Sequence, residues 1–145
     1  MPVKLLALIF LMSFKLQAQS FIRIGNNKYS SPIYNWDGTY LRKGVNQYSQ
    51  PICNFDGKFV RSGPNKYSTP LYNWDGNFFR KGDSKYSTAL YNWDGSRIRS
   101  GENKYSKPLY NFDGKFIRNG QSLYSDPLFN IEGKIPTAII IYVLE

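Results

Sequence analysis

The chain has 145 residues, with 19 lysines and arginines against 10 aspartates and glutamates, and it contains no histidine. That length bounds it to one compact domain, and a formal charge of +9 suits either an anionic partner or simple solubility. Without histidine the commonest general base and metal ligand is missing, and with Cys53 the sole cysteine no intrachain disulfide forms.

The first element in chain order is a leader. MPVK supplies a positive start, Leu5 to Phe14 is an apolar run of ten, and Leu16-Gln17-Ala18 ends on a small residue. This is the pattern of a cleaved export signal over residues 1–18, with a buried first helix as the alternative. The run is too short to span a bilayer, and no cysteine stands at the end of the leader to carry a lipid anchor. The expected location is therefore periplasmic, cell-surface or extracellular. Cleavage after Ala18 leaves 127 residues and a charge of +7, since only Lys4 and Lys15 are lost.

From residue 19 onward the chain repeats. YNWDG at Tyr34 returns as CNFDG at Cys53, YNWDG at Tyr72 and Tyr91, YNFDG at Tyr110 and FNIEG at Phe129, each step being 19 residues. Tyr-Ser keeps the same step at Tyr29, Tyr48, Tyr67, Tyr86, Tyr105 and Tyr124, and Arg-x-Gly keeps it from Arg23 to Arg118. Proline precedes the motif by two residues in every unit except at Ala89.

Each unit predicts two short strands, because Asp-Gly between apolar and aromatic residues is a strong hairpin signal, expected as a type I′ turn. With Asp75-Gly76 as a two-residue loop, Trp74 pairs with Asn77 and Tyr72 with Phe79. Alternation along a strand then places Tyr72, Trp74 and Phe79 on the core face, and Leu71, Asn73, Phe78 and Arg80 on the other. A lone hairpin is marginal in water, so the units have to pack on one another.

The repeat pattern starts with FIRIG, a second strand without its first, and ends with PLFNIEGKIP, a first strand whose partner is eroded at Pro136 and Thr137. Halves missing at both ends predict closure, which also removes exposed sheet edges. The expected fold is all-β, a closed radial array of about five to six 19-residue hairpins over residues 19–137; the alternative is an open solenoid of hairpins. The apolar tail at 138–145 (AIIIYVLE) is expected as a strand or short helix that caps or plugs the array.

The stretches FVRSGPNKYSTPLYNWDG and FIRNGQSLYSDPLFNIEG carry Asp-Gly followed by Arg-x-Gly and Tyr-Ser. In this the chain resembles the bacterial β-flower repeat proteins of four- or five-fold symmetry, over nearly all of the repeat region. The resemblance implies a petal-like closed ring of hairpins on an exported protein, and brings no activity or catalytic residues. The number of copies here leaves room for a sixth petal.

Candidate ligand-binding residues are Arg42, Arg61, Arg80, Arg99 and Arg118, with Trp36, Trp74 and Trp93. The arginines fall on the face away from the core. They suit either pairing with Asp and stacking on Tyr40, Phe59, Phe78 and Phe116, or a ring of charge for a carboxylate or phosphate ligand. The tryptophans and the Tyr-Ser pairs suit core packing or sugar stacking. Asn-x-Asp-Gly offers oxygens to calcium, but one carboxylate per unit is thin and turn chemistry explains it, so no metal or cofactor is expected. The departures from the repeat, Cys53, Pro64, Arg97 and Glu132, make no triad. The expected protein is a monomeric, non-enzymatic scaffold or interaction module without a membrane span or a nucleic-acid partner. The alternative is a lectin-like module for a glycan or anionic cell-surface polymer.

Overall fold

A computed structural model describes residues 18–145; the export signal expected over 1–18 lies, apart from Ala18, outside the described residues. Among the described residues twelve short strands precede one helix. They are β1 (Ser20–Ile24), β2 (Tyr34–Trp36), β3 (Tyr40–Lys43), β4 (Cys53–Phe55), β5 (Phe59–Ser62), β6 (Tyr72–Trp74), β7 (Phe78–Lys81), β8 (Ala89–Trp93), β9 (Arg97–Ser100), β10 (Tyr110–Phe112), β11 (Phe116–Asn119) and β12 (Phe129–Glu132), followed by α1 (Thr137–Leu144). Each strand pairs antiparallel with its sequence neighbours, and β1 pairs with β12, so the sheet is a closed barrel. The array is closed and contains six hairpins; the open solenoid is not formed.

The sixth hairpin is shared by the two ends of the chain. Ile22 faces Ile131 and Arg23 faces Asn130, the same register as Phe79 against Trp74 and Arg80 against Asn73. At this seam the chain does not turn from β12 into a following strand. Ser20 Oγ instead accepts from the Lys134 N–H at 3.0 Å and donates to the Lys134 carbonyl at 3.1 Å, tying the two ends together.

The hairpin register differs from the expected one. Trp74 pairs with Phe79 rather than Asn77, and Tyr72 with Lys81 rather than Phe79. Among the described residues only glycines have positive φ, whereas a type I′ turn would require it of Asp75 as well. The loop is Gly76-Asn77, with Gly76 at φ +97° in the first central position, where a type II′ turn places its glycine. The cause is Asp75, whose Oδ1 accepts the N–H groups of Asn77 and Phe78 at 2.9 and 2.8 Å. This local cap keeps the aspartate out of the two central turn positions and pushes the turn one residue on. The partner strand is displaced by two residues, so every side chain keeps its expected face.

The lumen is lined by one aliphatic or aromatic residue from each second strand: Ile22, Leu41, Val60, Phe79, Ile98 and Ile117 are all buried. An eight-stranded barrel is just filled by its own side chains, and twelve strands enclose more space. The helix α1 occupies it. Ala138, Ile139, Ile140 and Ile141 are at most 1% exposed and sweep roughly 300° around the helix axis, so the helix is surrounded on all sides. A helix apolar all round has to be buried, and only the lumen offers that. Pro136 enters beside Trp36 and Phe55 at the Asp-Gly end, and Tyr142 and Glu145 emerge beside Tyr34 and Tyr72 at the other.

Candidate binding surface

The outer wall is built from the residues opposite the lumen. In each hairpin the motif asparagine is 0–3% exposed, because the loop after the hairpin folds back over it. Asn73 Nδ2 donates to the carbonyls of Gly82 and Ser84 at 3.0 and 3.2 Å. The same two bonds recur at Asn35, Asn54, Asn92, Asn111 and, across the seam, Asn130.

The arginines occupy the same wall, one per hairpin. Arg42, Arg61, Arg80, Arg99 and Arg118 each reach the aspartate five residues earlier, and Arg23 reaches Glu132 across the seam, at 2.7–3.1 Å. Their side chains are only 11–14% exposed. In five of them Nε also donates to the carbonyl of a Tyr-Ser serine. Guanidinium groups lie over Phe21, Tyr40, Phe59, Phe78 and Phe116 at 4.9–5.4 Å. Asp37, Asp56, Asp75, Asp94 and Asp113 feel partial burial, which opposes ionisation. The arginine and two backbone N–H groups outweigh it and hold each carboxyl below its usual range, Asp94 at about 2. Both oxygens of each aspartate are thereby engaged. Among the described residues no cluster of acidic or cysteine side chains is arranged to hold a metal.

The tryptophans stand on the opposite side of the wall. Trp36 is 4% exposed and Trp74 and Trp93 are half-buried against the core. Arginines and tryptophans therefore converge on no common pocket. Trp36 borders a cleft of about 380 Å³ between the turns at Gly38 and Gly57, but its burial leaves almost no ring face for stacking. Inside the lumen, burial raises the Cys53 thiol to about 12 and the Tyr142 hydroxyl, beside that thiol, also to about 12.

The exposed aromatic set is a different one. The Tyr-Ser tyrosines Tyr29, Tyr48, Tyr67, Tyr86, Tyr105 and Tyr124 are 84–98% exposed. Their backbones are held: the Tyr67 N–H donates to Asn65 Oδ1 at 2.9 Å and Ser68 Oγ donates to the Asn65 carbonyl at 3.0 Å, with Ser84 or Ser122 replacing asparagine in two loops. The side chains contribute nothing to the core, contrary to a packing role for the Tyr-Ser pairs. The repeat made these tyrosines visible and alternation placed Tyr72 toward the lumen, but alternation does not reach Tyr67, which lies outside the strands. The signal was the asparagine or serine two residues before, which marks a turn.

A closed ring of six hairpins around a central helix is a radial β-repeat protein. The chain belongs to the six-fold beta flower proteins, whose family model matches residues 22–141; six petals replace the four or five of the earlier resemblance. No curated protein and no solved structure matches the chain. No helix among the described residues is long and apolar enough to cross a membrane.

Proposed function

We propose that the protein is a non-enzymatic interaction module, exported through its N-terminal leader, in which a rigid barrel presents six Tyr-Ser loops to a partner. One contrast supports this reading. Arginines, asparagines and tryptophans are engaged in the fold, while six tyrosines on pinned backbones are 84–98% exposed. Aromatic faces on fixed loops are economical binding groups, because little side-chain entropy is lost on contact.

The test is a glycan and polyanion array probed with residues 19–145 and with a variant carrying serine at all six loop tyrosines. Hits lost in the variant, with its melting temperature unchanged, are expected. An array without hits, or hits indifferent to the six substitutions, overturns the reading. Export is tested separately, by sequencing the N-terminus of protein recovered outside the cytoplasm, where Gln19 is expected first.

A further inference from the structure

We propose that the partner is a linear acidic polysaccharide that runs around the circumference of the ring, sugar faces on the loop tyrosines and acid groups on the loop lysines. This rests on the reading above and narrows it to one class of ligand. Four loops carry lysine immediately before tyrosine: Lys28, Lys66, Lys85 and Lys104, all exposed. Three of these lie on consecutive loops. The Lys28 and Lys85 ammonium groups sit over their own tyrosine rings at 5.1 and 5.2 Å, so a cation and an open ring face occur at one spot.

Charge points the same way. Six acidic side chains are cancelled by six arginines. Residues 18–145 then hold eleven other basic groups against four acidic ones, and ten of the eleven are exposed lysines. Of the loop acids, Asp83, Glu102 and Asp126, one is engaged by the backbone: Glu102 Oε1 accepts the Ala89 N–H at 3.1 Å, although the residue stays exposed. The net field around the ring is positive.

Geometry selects among polyanions. The loops lie on the outer wall of a closed ring and point in six directions about its axis, so a flat lipid surface meets one or two of them at a time. A flexible chain can follow the curve. Neighbouring hairpins are two strand spacings apart, about 10 Å at the wall, and the loops lie further out. A nucleic-acid strand carries a charge every ~3.4 Å, far denser than the lysines. A polysaccharide with one acid per disaccharide has a sparse charge repeat of the kind the loops present.

Hyaluronan oligosaccharides test this, with single-stranded DNA and phosphatidylglycerol vesicles as the other arms. The expected result is that a chain of about twenty sugars binds at least about 100-fold tighter than a tetrasaccharide, because successive loops engage one molecule. That gain is expected to disappear at high salt and in the quadruple variant K28Q/K66Q/K85Q/K104Q, whose melting temperature stays that of the parent. Equal affinity for short and long chains, unchanged binding by the quadruple variant, no binding to hyaluronan, or tighter binding to DNA or vesicles overturns the proposal. Array hits on neutral glycans that need the tyrosines would overturn it while leaving the interaction-module reading intact; an array without hits removes the reading itself.

Discussion

At the residue scale the outer wall depends on asparagine more than on charge. Asn73 joins its strand to the loop carbonyls of Gly82 and Ser84 from a buried position. Asn73→Ala leaves both carbonyls short of a donor, at a cost of about 1–3 kcal/mol, and differential scanning calorimetry is expected to show a lower Tm. The ion pairs act differently. Asp37, Asp56, Asp75, Asp94 and Asp113 ionise below their ordinary value of 3.8 when folded, so below neutrality the unfolded chain binds more protons than the folded one. Stability from these carboxylates is present above pH 3.8 and is lost as pH falls through their lowered folded values, which for Asp94 is about 2. Urea melts at stepped pH are expected to show a falling midpoint through that window. Each pair contributes modestly because its carboxylate is partly exposed. Ala89, the unit without proline, shows what the proline does. Its free N–H donates to Glu102 Oε1 at 3.1 Å, Ala89 comes into register with Arg80 through a bulge, and Arg80 Nε is left without the serine carbonyl that the other paired arginines reach.

At the element scale the turns and the helix define two kinds of sensitivity. A Cβ on Gly76 meets nothing within 4 Å, so Gly76→Ala costs only its positive φ, whereas a Cβ on Gly133 would lie 2.3 Å from Ser20 Oγ. Gly133→Ala is therefore expected to lower the chemical-denaturation midpoint well beyond Gly76→Ala, because it pushes the seam apart. Cys53 stands where the other hairpins carry Tyr34, Tyr72, Tyr91, Tyr110 and Phe129. A ring of six aromatics there leaves no place for the side of a helix, and the small thiol provides a notch that Tyr142 enters, edge-on to Tyr72 at 6.1 Å. Cys53→Tyr is expected to destabilise by about 1–3 kcal/mol through overpacking. Adding Tyr142→Ala should recover part of that loss in the same melt, an outcome that a simple loss of the thiol would not produce.

At the scale of the whole molecule, closure is the main device. With β1 paired to both β12 and β2, the barrel has no free edge to pair with another chain. A variant beginning at Gly25 removes β1, exposes β2 and β12, and opens the lumen around α1. Size-exclusion chromatography is expected to show self-association of this variant at concentrations where the full repeat domain elutes as a single species. Glu132 fits the same picture: at the seam the chain leaves the wall for the lumen, no turn cap is needed, and the longer acid reaches Arg23 across the gap at 2.7 Å.

The period of 19, the two strands per unit, the lumenal face and the half-units at the ends were all legible in the residues, because alternation and copy number are local or arithmetic properties. The turn was misplaced by one residue because Asp75 has two possible roles, turn corner or cap, and only the bonds it makes to Asn77 and Phe78 decide between them. The place of the arginines outside and the tryptophans inside followed from parity alone. The lumenal place of Tyr72 followed from the same parity, but the exposure of Tyr67 did not, since it lies outside the strands and the folded loop decides what it leaves uncovered. A linear chain encodes which units are alike. The diameter of the ring they close, the space it must fill with α1, and the side chains left outside arise from packing all six at once, which only the assembled barrel could decide.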